Sequence, residues 1–333
     1  MKSQVQIIAE IASAHEGNID LLKSLILKSS KTGADFVKVQ IYNFNELVHK
    51  VDGVKSNLEG NELSVKEWIE VIEFSGHHSI NLIAEVYDLK SFEITKSRNE
   101  IFGYKIPTAD INNHDLLLNV AKESKPIFLG IGGANVDEIS DSISIINKYP
   151  SSEIILMHGI QSFPTKIEDC LLQKLVLLKE MFNLKTGYAD HIDAEDTIMS
   201  FTVPAIAVSL GAHIIEKHIT PNRAKKSFDY FSALNPDEFT RFVAYMHDVH
   251  LCVGKPNGLS LNDAEIEYRN KMKKFAILKN NVSKGDKLSS VEVYFKRVNL
   301  EGISRRNFLE FKDSRFNKDL EAGSPIKKEY LDA

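Results

Sequence analysis

The sequence predicts a closed (β/α)8 barrel, the TIM-barrel architecture, followed by a small β-rich domain. Three observations carry that prediction. Short apolar runs of strand length alternate with helix-length segments as far as residue 253, and eight strand–helix units in about 250 residues are what such a barrel requires. The first strand is not followed by Gly-x-Gly-x-x-Gly, the mark of an open dinucleotide-binding sheet. From Lys274 onward the texture changes to short strands and turns.

Gln6–Ile11 is a buried-type strand, and a small polar loop, Ser13–Asn18, follows it. Residues 19–32 carry Leu21, Leu22, Leu25 and Ile26 at helical spacing and stop at Gly33. Phe36–Gln40 is the second strand. The polar segment from there to Leu63 is too long for a simple connection and reads as a functional loop. Ser64-Val65-Lys66-Glu67 matches a capping box and opens a helix through Phe74. Asn81–Glu85 and Gly103–Ile106 are the third and fourth strands, and Asn113–Ser124 is helical. Pro126–Leu129 is the fifth strand, ending in the glycine loop Gly130-Ile131-Gly132-Gly133, with a helix over Asn135–Tyr149. Ile154–His158 is the sixth strand, and Asp169–Phe182 the helix after it. Gly187–His191 and Ile214–His218, joined by the apolar segment Ile198–Leu210, are strand, crossover helix and strand, hence parallel neighbours. Pro236–Val253 is the last barrel helix. The domain plan is a barrel over 1–253, a charged linker with a short helical part over 254–273, and a β-rich domain over 274–333. A domain of about 60 residues is small for an independent core and is expected to lean on a partner surface.

Composition narrows the function classes. Of 333 residues 43% are hydrophobic and 26% charged, ordinary for a globular chain. A net charge of -5 argues against a general nucleic-acid or anionic-membrane surface, while leaving room for a local basic pocket. No apolar run approaches the length of a membrane span. The first residues show no cleavable-signal layout, and Cys170 and Cys252 fall in no metal or redox motif. The expectation is a cytoplasmic protein with reduced thiols.

In a barrel, the C-terminal ends of the strands line the site. Here those ends carry Glu10, Lys38, Gln40, Glu85, Lys105, His158, His191, Glu216 and His218. A barrel needs none of these for stability, and burying them costs free energy unless they are paired. Lys38 and Lys105 suit a phosphate or carboxylate ligand, or else pair with Glu10, Glu85 or Glu216. Thr108 and the backbone N–H groups at Gly132-Gly133 are further candidates for phosphate oxygens. His191 and His218, at the ends of neighbouring strands, either hold a divalent cation that polarises a carbonyl or merely pack there. An anion pocket beside a Lewis acid suggests joining a phosphorylated, carboxylated small molecule to an aldehyde.

Several stretches resemble, in order, the signatures of the sialic acid (nonulosonic acid) synthase family. They are Ile8-Ala9-Glu10-Ile11, Gly33–Gln40, Tyr104-Lys105-Ile106, Gly187–His191, Gly211–His218 and Leu234–Phe239. The tail from Lys274, with Lys284-Gly285 and Lys296-Arg297, is similar to that family's antifreeze-like (SAF) domain. The resemblance implies condensation of phosphoenolpyruvate with an open-chain amino sugar of the N-acetylmannosamine type, releasing phosphate. It implies that His191 and His218 bind Mn2+ or Mg2+, and that Lys38, Lys105, Thr108 and Gln161 hold phosphoenolpyruvate. It also implies that Glu10, Gln40, Asp110 and Asp229 handle the sugar and its proton transfers. Arg297 would reach the neighbouring subunit's site in a domain-swapped homodimer.

The chain departs from the family pattern at Ala84–Tyr87, Pro107–Ala109, Gly130–Gly133, His158–Ile160, Ala189, Ser227–Asp229 and Arg297–Asn299. The metal histidines and both lysines are kept, while the phosphate and sugar edges are rewritten. A divergent synthase with a different sugar is the natural expectation. The alternatives are a synthase of another 3-deoxy-ulosonic acid from a different aldose or sugar phosphate, and a barrel that binds sugar or phosphoenolpyruvate without turning it over.

Overall fold

The computed structural model describes residues 5–47, 58–162, 164–254, 259–298 and 301–332. The chain divides into two compact units, Met1–Gly254 and Lys255–Ala333. Among the described residues no helix is long and apolar enough to cross a membrane.

The first unit is a closed barrel of eight parallel strands in sequence order. They are β1 (Gln6–Glu10), β2 (Phe36–Ile41), β3 (Leu82–Val86), β4 (Ile101–Ile106), β5 (Ile127–Gly130), β6 (Ile154–His158), β7 (Lys185–Asp190) and β8 (Ile214–His218). Closure comes from β8 pairing with β1, from Gln6↔Ile214 to Glu10↔His218. A helix lies between each strand and the next.

Strand side chains alternate between the two faces of the barrel wall. One set, including Ile7, Ala9, Val37, Val39, Leu82, Ala84 and Ile215, joins the main core shared with the helices. The alternate set (Ile8, Phe36, Ile83, Phe128, Ile155, Met157 and Ile214) forms a separate cluster inside the barrel. That inner cluster is a plug of apolar side chains. Two residues further along the same strands, the inner positions become Glu10, Lys38, Glu85 and Glu216.

The helices follow their sequence signals with local exceptions. Ser64 and Glu67 form the expected capping box, and the helix they open runs Val65–His77, a turn past Phe74. A seven-residue helix at Leu89–Thr95, capped by Asp88, fills the β3–β4 connection. It is too short to show a repeating apolar face, and periodicity does not predict it. The helix expected over 169–182 begins only at Lys174. Leu171 adopts a positive φ of 43°, which an α-helix cannot accommodate. Of the long polar segment after β2, residues 48–57 lie outside the described residues.

In the second unit β9 (Lys274–Leu278) pairs antiparallel with β10 (Val293–Arg297). Ala276, Leu278, Val282, Leu288, Ile303, Phe316 and Ile326 are its core. Residues 255–258 of the expected linker lie outside the described residues, and Asp263–Met272 is a helix with an Asn262/Glu265 capping box. That helix buries none of its residues.

The plug gives a direct stability prediction. Phe128 is 1% exposed and touches Phe36 edge-on at 6.2 Å. Phe128→Ala is expected to cost about 3–5 kcal/mol, read as a lowered midpoint in guanidinium unfolding at unchanged slope.

Candidate active site

Directly beyond the plug lies a layer of buried charge. Lys38 is its hub. The Lys38 ammonium sits 2.7 Å from Glu10, 2.6 Å from Glu85 and 3.0 Å from Glu216. Glu216 spans two lysines, offering Oε1 to Lys38 and accepting from Lys105 Nζ at 2.9 Å through Oε2. Gln40 donates its amide to Glu85 at 3.2 Å. Burial alone would raise the Glu216 carboxyl, but Lys105 and Lys38 hold it well below the usual carboxylate range. Burial alone would lower the Lys105 ammonium, and Glu216 and Glu85 more than reverse that. Lys105 is thus a paired cation inside the barrel, and Lys38 lies in the same buried layer among three carboxylates.

His191 and His218 meet beside this layer, with ring centroids 5.2 Å apart. Both are buried, at 3% and 6% exposure. Burial lowers the His191 pKa to about 4, and burial followed by His191 itself lowers His218 well below its ordinary value. Both are therefore neutral at pH 7, the form in which imidazole ligates a metal. Among the described residues no group of three or more His, Cys, Asp or Glu is arranged around a common point. Two facing neutral imidazoles are a donor set of the kind that borderline divalent cations take. Ala189, one inward position before His191 on β7, pairs in register with Glu216 and brings no hydroxyl to this wall.

The rim is built from loops after the strands. Thr108–Asp110 forms a short 3-10 turn after β4, with Asp110 accepting from Asn113 at 3.1 Å. A Cβ at Gly130 would stand 2.9 Å from the Thr108 nitrogen, so only glycine lets that turn close on β5. A Cβ at Gly132 would lie 1.7 Å from the Gly159 carbonyl oxygen, which makes close approach the reason for glycine there. Asp229 has a positive φ of 60°, and the Ser13 backbone acts on its carboxyl against the effect of burial. Burial raises both the Asp110 and the Asp229 carboxyls above the ordinary value. Gln161 lies exposed in the loop after β6. Tyr87 is a member that sequence reasoning missed. Burial, with Glu85, Glu216, Asp110 and Asp229 all acting on it, pushes its hydroxyl well above its usual pKa. It is a permanent donor among acceptors.

The NeuB family profile matches residues 25–257. The chain belongs to the NeuB family. It is 32% identical to an uncharacterized protein of Methanocaldococcus jannaschii, over 87% of this chain and 84% of that one. It is 26% identical to the N,N'-diacetyllegionaminic acid synthase of Legionella pneumophila, over 98% and 94%. Among solved structures it is similar to the N-acetylneuraminic acid (sialic acid) synthetase of Leptospira borgpetersenii serovar Hardjo-bovis. The TM-score is 0.71 at 29% identity, covering 81% of this chain and 92% of that one. The chain is thus a divergent member of the sialic acid synthase family that its motifs resemble, and an enzyme of the synthase class.

Within this NeuB-family barrel one strand-end expectation is corrected. His158 does not join the site. It falls on the outward parity of β6, where its Nε2 lies 2.9 Å from the Cys170 carbonyl oxygen and its ring faces Tyr188. The inward residues of β6 are Ile155 and Met157, both in the plug. Arg297 stands exposed on β10 in the second unit, opposite Lys274.

The charge layer of this NeuB-family protein makes its two lysines unequal. Removing one partner of a buried pair costs about 3–5 kcal/mol because the other charge is stranded. Lys38→Met strands Glu10 and Glu85, whereas Lys105→Met leaves Glu216 still paired with Lys38, so urea unfolding at pH 7 is expected to find the former clearly less stable.

Proposed function

We propose that this protein condenses phosphoenolpyruvate with the open-chain form of an amino sugar, giving a nonulosonic acid and inorganic phosphate. The observation that best supports this reading is the pair of buried lysines, Lys38 and Lys105, standing beside the facing imidazoles of His191 and His218. Synthases to which the chain is similar are named for N,N'-diacetyllegionaminic acid, pseudaminic acid and N-acetylneuraminate 9-phosphate.

The chemistry follows from what the residues can do. Lys38 and Lys105 bind the phosphate and carboxylate of phosphoenolpyruvate, with Thr108 and Gln161 at the rim. C3 of the enol attacks the sugar aldehyde and forms the new C–C bond, and the aldehyde oxygen takes a proton. Water adds at C2, and loss of phosphate from that carbon leaves the 2-keto acid. A divalent cation, Mn2+ or Mg2+, held by His191 and His218 would supply Lewis-acid polarisation of the aldehyde. Three carboxylates against two ammonium groups in the layer below favour a cation at that place. Glu10, Asp110 and Asp229 carry the proton transfers. The raised carboxyls of Asp110 and Asp229 bring them nearer the range in which an acid both gives and takes a proton. Gln40 and Tyr87 orient the sugar. Glu85 takes part of the Lys38 charge, and Ala189 offers no hydroxyl, so the anion is held differently here and the sugar is expected to differ from N-acetylmannosamine.

Phosphate release from phosphoenolpyruvate, measured with a panel of acetamido and neutral aldoses, tests this. Release is expected with at least one aldose, with Mn2+ present, and is expected to stop on chelation. No release from metal-loaded protein with any of them overturns the reading, and release that survives chelation removes the role given to the histidines.

The second unit would complete the site across a domain-swapped homodimer, Arg297 binding the sugar in the partner's barrel. A hydrogen bond to a charged group contributes about 1.5–3 kcal/mol. Arg297→Ala is therefore expected to raise the sugar KM by about tenfold or more, with kcat changed less; an unchanged KM removes that placement.

A further inference from the structure

We propose that Lys217, together with Asp190, is a positioning residue that sets the geometry of the His191–His218 pair from behind the barrel wall; this rests on the metal-holding role given to that pair above. Asp190 and Lys217 are register partners on β7 and β8, on the outward parity opposite to the histidines. Neither side chain is exposed to any extent, and Lys217 Nζ lies 2.5 Å from Asp190 Oδ2. The same ammonium donates to the carbonyl of Ile192 at 3.4 Å. Lys217 therefore grips the residue before His191 and the residue after it. The backbone of His191 is held in addition by Thr165 N–H at 2.9 Å and Ser232 Oγ at 3.0 Å, both donating to its carbonyl.

Stability does not account for an ion pair in this place. Two dry charges between a strand layer and its helices are commonly no better than a well-packed apolar pair of the same volume. What charge adds is direction. An apolar pair tolerates small slips of one strand end past the other, whereas one ammonium shared between a carboxylate and a carbonyl fixes both height and rotation. The residue adjacent to Lys217 is His218 and the residue adjacent to Asp190 is His191. The clamp thus joins the two ring-bearing residues one peptide away from each. Groups that orient metal-holding histidines from behind typically change metal affinity by about 10–100-fold when lost.

The test is Mn2+ binding to metal-stripped full-length protein, followed by electron paramagnetic resonance without substrate. The wild type is expected to bind Mn2+, and His191→Ala and His218→Ala to abolish binding. The double variant Lys217→Met with Asp190→Asn removes both charges together and is expected to fold, by circular dichroism, while binding Mn2+ about 10–100-fold more weakly. Phe128→Ala, destabilised but remote from the clamp, is expected to keep wild-type affinity. If that double variant does not fold, Lys217→Gln with Asp190→Asn, which keeps polar side chains of similar size and strands no charge, carries the test and is expected to weaken binding severalfold. Wild-type Mn2+ affinity in the folded clamp variant, or equal loss in Phe128→Ala, overturns the proposal alone. Absence of histidine-dependent Mn2+ binding in the wild type overturns the metal role and the proposal with it.

Discussion

Everything at the mouth of the barrel depends on the mutual neutralisation of Lys38 with Glu10, Glu85 and Glu216. An ammonium or carboxylate taken out of water costs several kcal/mol even after relaxation, and the cost is recovered only when geometry is good and partners are close. Four strands contribute to this layer, β1, β2, β3 and β8, with β4 joining through Lys105 and Glu216. No strand can be displaced without stranding a charge. The site is therefore rigid for the same reason that it is expensive to build, and preorganised charge in a dry cavity is what polar chemistry requires.

Most of the barrel was legible because period-two alternation and helix caps are local signals. The strand ends were read correctly as polar, and Glu10, Lys38, Glu85, Lys105 and Glu216 do converge. What alternation could not supply was parity at β6. His158 ends its strand just as Glu10 and His218 end theirs, and only the register Met157↔Gly187 reveals that it points outward. The roles proposed for Asp110 and Asp229 come from family resemblance, since both lie on loops whose course no periodicity encodes. Tyr87 could have been found by counting two residues on from Glu85, past the end of the strand. Asp190 and Lys217 were visible as charges in a strand, yet nothing local says that two such residues twenty-seven positions apart share one buried bond.

Part of the rim has very little freedom. Gly130, Gly132 and Gly159 are fixed by backbone approach: any side chain at these positions would meet a neighbouring main chain. These glycines set the contour of the rim, whereas Ala189, Glu85 and Tyr87 set its chemistry. Shape and chemistry are thus separately adjustable on one scaffold, which is how related barrels come to take different ligands.

The apolar plug has a consequence for traffic. Ile8, Phe36, Ile83, Phe128, Ile155, Met157 and Ile214 fill the lower half of the barrel, so among the described residues the charge layer above them is approached as a well from the strand C-terminal ends. Whatever reaches the lysines at the bottom must enter over the rim and leave by the same way. Two reactants that share such a well cannot exchange places inside it. The one held deepest has to arrive first, and order of arrival is then a property of the architecture itself.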